Sequence, residues 1–390
     1  MEVRLMLVNN SNTLSLDLQA SKHISLGIDQ GDSQWVMTAF DRSSGKKSRH
    51  CFKGATKELD CYRKVSDLSK TGKPVSVCYE AGRSGFTPAR VFSSLGCECR
   101  VLPYGKLQII SSGKKAKTDN IDSVFLSELN PLDKSIPSVW LPEVKQECLR
   151  VIPREEQRLK RDISRNNNRI ISILQRWPVQ KVVTHLRAAE WRVRIREWKN
   201  CAAVPGLLPV SELKRIEMMT DELELLEKHL LEWGCYMDEQ EKKERSIAEQ
   251  TGEKFTIDIL REYRGIGEVI ARTFSWEIGD FNRFRNGKHF SSYLGLTPTP
   301  FASGKMFREQ GISKQGNPEL RRLAIQLAWL WKHWQPDSKI ARKWKEQLKN
   351  KGRQRKTAIV AMARQLMVAI YRRIVRGEEI EGAVKNRPMQ

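Results

Sequence analysis

The sequence predicts an α/β domain at the N-terminal end, a helical, coiled-coil-like middle and a mostly α domain at the C-terminal end. Short strand patterns alternate with helical patterns up to about residue 129. Two long polar stretches with leucines at helical spacing follow, and a compact, mostly helical pattern resumes at about residue 256. We therefore divide the 390 residues into an N-terminal extension (1–22), a first domain (23–135), a helical linker domain (136–255) and a C-terminal domain (256–390).

The first domain opens with three strand patterns joined by short turns, which predict an antiparallel meander. Helical and strand patterns then alternate. This order predicts a mixed sheet with helices packed on it, which is the arrangement of RNase H-like (RuvC-like) domains. The predicted strands cover residues 23–29, 35–40, 48–53, 74–80 and 99–102, and the predicted helices cover residues 55–69, 87–95 and 119–129.

The middle segment follows a linker that contains Pro131, Pro137 and Pro142. Residues 144–177 and 210–250 have the pattern of long amphipathic helices. Such helices either pack against each other within one monomer or form the seam of an oligomer, and the sequence favours neither. In the C-terminal domain we predict helices over residues 257–263, 269–276, 319–334 and 357–376, with a loop-rich stretch over residues 295–318.

The charge of the chain points to a polyanionic partner. Lys and Arg number 69 against 46 Asp and Glu, a formal net charge of +23. Residues 339–376 alone contain thirteen Lys or Arg and one acid, Glu346. Nucleic acid is the partner that most often relieves such an excess. The alternatives are a basic protein with no polyanion and, for the Lys339–Lys356 run, a solvated helix face.

The cysteines and the hydropathy of the chain indicate its cellular location. None of the eight cysteines forms a C-x-x-C pair, and no Cys/His spacing matches a zinc finger. We expect reduced thiols and a cytoplasmic, nucleoid-associated protein. No stretch of about 18 apolar residues occurs, so we expect no contact with a membrane.

Four acids have the placement that metal-assisted phosphodiester chemistry needs. Asp29 and Glu80 each end a predicted strand, and parallel neighbouring strands would bring them together at the carboxyl edge of the sheet. Asp119 and Asp122 are three residues apart at the start of a helix and so share one face. Mg²⁺, with Mn²⁺ as an alternative, is the cation that such oxygen ligands would hold. Taken singly, an Asp after a strand is most often a turn residue, and Asp119 after Thr118 is also explained as part of a helix N-cap.

Basic residues and glycines mark candidate contacts to a phosphate backbone. The Gly265-Ile266-Gly267 segment lies between two helical patterns and is typical of a helix-hairpin-helix, although a plain tight turn explains it as well. We predict nucleic-acid contacts at Lys114, Lys115, Lys117, Gly265, Gly267, Lys305, Arg308, Lys314, Arg321, Arg322, Arg353 and Arg355.

Ser303 lies in a small-residue loop beside Lys305 and Arg308, which could stabilise phosphate charge. Ser-Gly is a common loop pair, so the residues alone give this serine little weight as a nucleophile. Its rivals are Ser291, Ser292 and Ser313. Neither a Gly-x-Ser-x-Gly motif nor an adjacent His or Asp indicates a hydrolase triad.

Taken together, these segments resemble the bridge-RNA-guided insertion-sequence transposases of the IS110 family. The N-terminal segments resemble the DEDD motif of this family, and the C-terminal segments resemble its transposase domain. The matching segments occur in the same order along the chain as in the family. The middle resembles the family only in being helical. The matching segments are Gly27-Ile28-Asp29, Tyr79-Glu80-Ala81-Gly82, Lys117-Thr118-Asp119-Asn120-Ile121-Asp122, Gly265-Ile266-Gly267, Glu277-Ile278-Gly279-Asp280, Phe284, Tyr293-Leu294-Gly295-Leu296-Thr297-Pro298, Ser303-Gly304, Gly311-Ile312-Ser313-Lys314-Gln315-Gly316-Asn317 and Leu320-Arg321-Arg322.

The resemblance implies a DNA recombinase. Asp29, Glu80, Asp119 and Asp122 match the metal-binding acids of the family, and Ser303 matches its nucleophilic serine. The family joins donor and target DNA with a noncoding bridge RNA, as a homo-oligomer (dimer or tetramer) whose acids and serine come from different protomers. Two departures, Gly82-Arg83-Ser84 after Glu-Ala and the long N-terminal extension, do not touch this chemistry. The alternatives are a RuvC-like nuclease that uses water and a non-catalytic nucleic-acid-binding protein.

Overall fold

The computed structural model of the chain describes residues 23–103, 119–129, 136–176, 209–303, 306–349 and 351–386, with the backbone alone at 119–121, 210, 299–303 and 306–310. The predicted extension over residues 1–22, together with Lys114, Lys115, Lys117 and Lys305, lies outside these ranges. The chain forms two compact units, Met1–Pro142 and Glu143–Gln390. Whether the second unit divides further, as the sequence predicts, stays a prediction.

The first unit contains a five-stranded mixed sheet with the strand order β3-β2-β1-β4-β5. Strands β1, β2 and β3 form the predicted antiparallel meander, and β4 and β5 continue the sheet in parallel with β1. This confirms the predicted α/β fold. The strands are β1 (Ile24–Gln30), β2 (Gln34–Asp41), β3 (Lys47–Lys53), β4 (Val75–Glu80) and β5 (Glu98–Leu102), and the helices are α1 (Lys57–Ser69), α2 (Thr87–Ser94) and α3 (Asp119–Glu128).

The two faces of the sheet are covered by different helices because side chains alternate along each strand. On one face, Ile28 and Tyr79 pack in a core that includes Phe92 of α2. On the other, Cys78 packs with Leu126 of α3. Burial raises the pKa of the Cys78 thiol to about 12, so this face carries a neutral thiol near neutral pH.

Helix α3 lies directly on β1 because Gly27 has no side chain. A Cβ atom built at Gly27 would lie 2.1 Å from the carbonyl oxygen of Ser123 and 2.3 Å from the amide nitrogen of Ser127. The Ser123 hydroxyl also lies 2.9 Å from the hydroxyl of Thr38, which is opposite Gly27 on β2. Only glycine allows this approach of helix and strand.

The second unit is mostly helical, with a single two-stranded hairpin among its described residues. Helices α4 and α5 pack antiparallel within the monomer, with Lys145 paired to Glu244 and the Trp233 indole donating to the Ile152 carbonyl. The elements are α4 (Val144–Leu174), α5 (Val210–Thr251), α6 (Thr256–Arg261), α7 (Glu268–Ile278), α8 (Gly287–Tyr293), β6 (Pro298–Ser303), β7 (Met306–Ile312), α9 (Pro318–Trp334), α10 (Lys339–Lys349) and α11 (Gly352–Arg376).

The stretch over residues 295–318 is where the sequence prediction was wrong about the local structure, because it contains the β6–β7 hairpin rather than loop alone. Pro298 and Pro300 argue against a strand in sequence, since proline cannot donate to a ladder. A two-stranded sheet has two free edges, and the register shifts between these two prolines, so their missing N–H groups are tolerated. Helix α11 also begins five residues before the predicted start, at Gly352 rather than Thr357.

The described cysteines are all free, and Cys78 is buried. Within the described ranges, no helix combines the length and the apolar character needed to cross a bilayer.

We predict that Gly27→Ala destabilises the chain, because the new methyl group would meet two backbone atoms that cannot rotate away. The free energy of unfolding should fall by roughly 3 kcal/mol, as for severe overpacking. Thermal and denaturant unfolding of the full chain would measure this. Gly82→Ala is the control, since its nearest backbone atom is the Glu80 oxygen at 3.9 Å. Equal unfolding midpoints for the two variants would show that α3 does not depend on Gly27.

Candidate functional site

Asp29 and Glu80 occupy neighbouring positions at the carboxyl edge of the first sheet. The parallel register of β1 and β4 pairs Ile28 with Tyr79, so the next residue on each strand is one of these acids. Strand alternation places Asp29 on the same face as Gly27, and Glu80 on the same face as Cys78, which is the face that α3 covers. Both acids are half-buried.

The direction of α3 brings its first turn towards the same edge. The C-terminal end of α3 lies at the start of β1, because Arg42 donates to the carbonyl oxygens of Glu128 and Leu129 and also to the Ser25 hydroxyl, at 2.9–3.0 Å. Since Ser123 lies over the middle of β1, the helix runs antiparallel to the strand. Its first turn, which begins at Asp119, therefore points towards the carboxyl end of β1.

The described side chains do not by themselves form a metal centre. Asp122 is half-buried, and the side chain of Asp119 lies outside the described set. Among the described side chains, no three of the types His, Cys, Asp and Glu are grouped closely enough to hold a metal ion. The donor set nevertheless fits Mg²⁺, which prefers oxygen ligands and is often bound through one or two carboxylates and several waters.

Ser303 is the last residue of β6, where it pairs with Met306 of β7. Residues 304 and 305 connect the strands, so the serine stands at the turn end of the hairpin, opposite the end that pairs Pro298 with Ile312. The side chains of Ser303 and Arg308 lie outside the described set. The structure therefore fixes the backbone position of the predicted nucleophile and leaves its role untested.

The base of the hairpin is closed by a close approach between two glycines. A Cβ atom at Gly316 would lie 2.4 Å from the amide nitrogen of Gly295, and Gly295 has a φ of +68°. The Ser313 amide donates to the Thr297 carbonyl at 2.8 Å across the same closure. These contacts require glycine at both positions and hold the two ends of the hairpin together.

A buried carboxylate anchors this closure to the helical core. Glu277 on α7 is 1% exposed and accepts hydrogen bonds from Arg154 on α4 and from the Asn317 amide group, the latter at 3.1 Å. Asn317 in turn caps α9, since its side-chain oxygen accepts from the amides of Glu319 and Leu320. The hydrogen bond to Glu277 raises the pKa of Arg154. Sequence reasoning gave Glu277 no role, because a helical acid is ordinarily exposed.

The predicted helix-hairpin-helix has the expected local form. Gly265, with a φ of +91°, lies in the connection between α6 and α7, and Gly267 is the N-cap residue of α7. A Cβ atom at Gly265 would meet Trp334 at 3.1 Å, whereas Gly267 has open space around it. The geometry explains Gly265 as a packing requirement and leaves the Gly267 position accessible.

The other predicted nucleic-acid contacts fall into two groups. Arg321 donates to the Lys314 carbonyl at 3.1 Å and Arg322 pairs with Glu319, so both guanidinium groups hold the local structure. By contrast, Arg353 is exposed, and Arg355 lies over the Trp329 ring at 4.8 Å. The second pair is therefore the better placed for a phosphate backbone.

A mixed sheet of RNase H-like order with two acids at its carboxyl edge, followed by a mostly helical unit, fits the DEDD class of transposases, and two family models match the chain. The profile of DEDD-type IS110 transposases matches residues 26–177, and that of the "Transposase IS116/IS110/IS902 family" matches residues 257–345.

Relatives extend this likeness over most of the chain. "Putative transposase y4rJ" of Sinorhizobium fredii is 30% identical over 397 residues, covering 96% of this chain and 97% of that protein. "Transposase for insertion sequence element IS1533" of Leptospira borgpetersenii is 24% identical and covers 70% of this chain and 75% of that protein. The chain belongs to the IS110 family of insertion-sequence transposases.

We expect Glu277→Gln to lower the free energy of unfolding by about 2 kcal/mol, because a buried charge-assisted network loses its anion. Chemical denaturation of the full chain measures the change. Glu155→Gln is the matched control, since its pairing with Arg158 is at the surface and should contribute less than about 1 kcal/mol. A Glu277 variant no less stable than the control would exclude the anchoring role.

Proposed function

We propose that this transposase cleaves and rejoins DNA strands through a covalent serine–DNA intermediate, with Ser303 as the nucleophile and Asp29, Glu80, Asp119 and Asp122 as ligands of Mg²⁺. Mn²⁺ is the alternative cation for the same ligands. The observation that carries the proposal is the parallel register of β1 and β4. It puts Asp29 and Glu80 in neighbouring positions at the carboxyl edge of the sheet, on the face that α3 covers. Family membership adds that the chain processes DNA.

A divalent cation held by Asp29, Glu80, Asp119 and Asp122 would stabilise the charge that develops on the scissile phosphate. Ser303 Oγ forms a bond to phosphorus while the bond from phosphorus to a deoxyribose oxygen breaks, and the proton lost by the serine balances the one that the leaving oxygen gains. A free hydroxyl of the exchanged strand then attacks the serine-linked phosphorus and releases Ser303. The phosphodiester energy is kept in the protein–DNA link, so the exchange needs no ATP.

The acids and the serine belong to different units, and we propose that they meet in a homo-oligomer in which each active site takes its acids from one protomer and its serine from another. Helix α5 leaves apolar side chains on one face for such an assembly: Met218 is 63% exposed and Leu225, seven residues later and so on the same face, is 52% exposed. Exposed apolar residues that adjoin on one face are a feature of protein interfaces.

We further propose that a noncoding bridge RNA selects the donor and target DNA. A net charge of +23 would accommodate a second polyanion beside the DNA. Base pairing by the RNA would carry sequence specificity, so the protein itself would need chiefly backbone contacts.

We predict that wild-type protein, purified together with the RNA it retains and incubated with suicide DNA nicked so that strand exchange cannot finish, accumulates a protein–DNA adduct stable to denaturation. The Ser303→Ala variant, prepared in the same way, should form none. The adduct is seen as a shifted band on a denaturing gel, and its position is mapped by mass spectrometry. Ser313→Ala is the control and should form the adduct as wild type does. Cleavage without any adduct would instead assign the nucleophile to water, and a chain that neither cleaves nor forms adducts would be a binding protein.

We predict that Asp122→Asn lowers adduct formation at least about 100-fold, because one carboxylate ligand is lost from a site that stabilises transition-state charge. Glu128→Gln, which alters an acid at the other end of the same helix that pairs with Lys47, should leave the rate within about twofold of wild type. Chelation of divalent cations should stop the wild-type reaction, and added Mg²⁺ should restore it. Full activity of Asp122→Asn would remove this acid from the site.

A further inference from the structure

A groove of about 1230 Å³ lies in the second unit between α10, α11 and the base of the β6–β7 hairpin. It is larger than the roughly 300–1,000 Å³ of most small-molecule sites. Seven Lys or Arg residues line it and no acid does. Its size and charge point to an extended anionic ligand.

Six of the seven cations of this groove have no acidic partner among the described residues. Within the part of the chain that the structure describes, only Lys339 of the seven has a salt bridge, to Glu381 at 2.6 Å. Elsewhere in the same unit several arginines are paired with buried acids: Glu241 accepts from Arg245, Arg261 and Arg272. Uncompensated positive charge concentrated in one groove attracts a polyanion.

The floor of the groove is apolar and contains an aromatic ring. Val360 and Val368 on α11 and Trp344 on α10 line it between the basic residues. The Trp344 indole N–H donates to the Gln365 side-chain oxygen at 2.8 Å, which fixes the plane of the half-buried ring. A duplex hides the faces of its bases, whereas an unpaired strand can stack a base on such a ring.

The groove also adjoins the element that carries the proposed nucleophile. Pro298 and Ile312, which pair at the base of the β6–β7 hairpin, both line it, and Ser303 ends β6 at the other end of that hairpin. A strand lying in the groove would therefore run towards the hairpin. This inference rests on the proposed function, because the strand is taken to be DNA on the ground that Ser303 cleaves DNA.

We propose that the groove binds an unpaired segment of the DNA strand next to the bond that Ser303 cleaves, with phosphates at Lys343, Lys356 and Arg364 and a base stacked on Trp344. The groove thereby favours strands that have been opened over intact duplex. It would hold the cleaved strand in place until the exchanged strand arrives.

The test measures the affinity of the full chain, carrying Ser303→Ala to prevent cleavage, for a fluorescently labelled single-stranded DNA of about 16 nucleotides. The same sequence is measured as duplex DNA and as single-stranded RNA. We expect Trp344→Ala to weaken binding of the single strand about tenfold and Trp344→Phe less than about threefold, because phenylalanine keeps a stacking surface. Duplex affinity should change less than about twofold. Circular dichroism confirms that each variant is folded.

A charge-matched comparison isolates the phosphate contacts. Lys343→Gln with Lys356→Gln should lower the slope of log affinity against log salt by about 1.4 for the single strand. Lys345→Gln with Lys349→Gln removes two lysines of α10 that do not line the groove, and it should leave the slope nearly unchanged. Equal effects of the two pairs would overturn the groove as the binding site.

Three other results would also overturn the proposal: no loss of affinity in Trp344→Ala, equal losses for duplex and single strand, or an RNA strand bound about tenfold more tightly than DNA with the same variant pattern. The binding assay tests the groove and the adduct assay tests the serine mechanism, so one proposal can fail without the other. An adduct at Ser303 with no groove effect refutes only the groove, and a groove effect with no adduct refutes only the serine mechanism.

Discussion

The contact between Gly27 and helix α3 is the constraint on which the candidate site depends. The helix can lie against the backbone of β1 only because position 27 has no side chain, and the nearest backbone atom stands 2.1 Å from where a Cβ would be. Arg42 fixes the other end of the helix by bonding its last carbonyls. With the C-terminal end tied down there, the acid-bearing first turn is directed towards Asp29 rather than away from it.

The second unit uses charge in two opposite ways. Buried acids such as Glu277 and Glu241, 1% and 5% exposed, gather arginines and tie the helices together. Such networks remain stable because every buried charge has partners. The groove between α10 and α11 shows the reverse, with cations left for a ligand. The residues that anchor the β6–β7 hairpin, such as Glu277, are therefore different from the groove cations that would bind nucleic acid.

The sheet could be predicted from sequence because its signals are local. Strand alternation, short turns and the acid at each strand end gave the order of elements and the edge where Asp29 and Glu80 lie. The β6–β7 hairpin could not be predicted, since the two prolines in β6 argue against a strand and the closure by Gly295 and Gly316 joins residues 21 apart. For the same reason the buried role of Glu277 was invisible, because its partners Arg154 and Asn317 come from distant parts of the chain.

The most direct measurement is a crystal structure of the full chain grown with Mn²⁺, in which anomalous scattering locates the metal. We expect a peak coordinated by carboxylate oxygens of both Asp29 and Glu80 and by at least one of Asp119 and Asp122, at the end of β1 beneath α3. A metal bound elsewhere, or an α3 whose first turn lies away from that edge when metal is present, would contradict the arrangement.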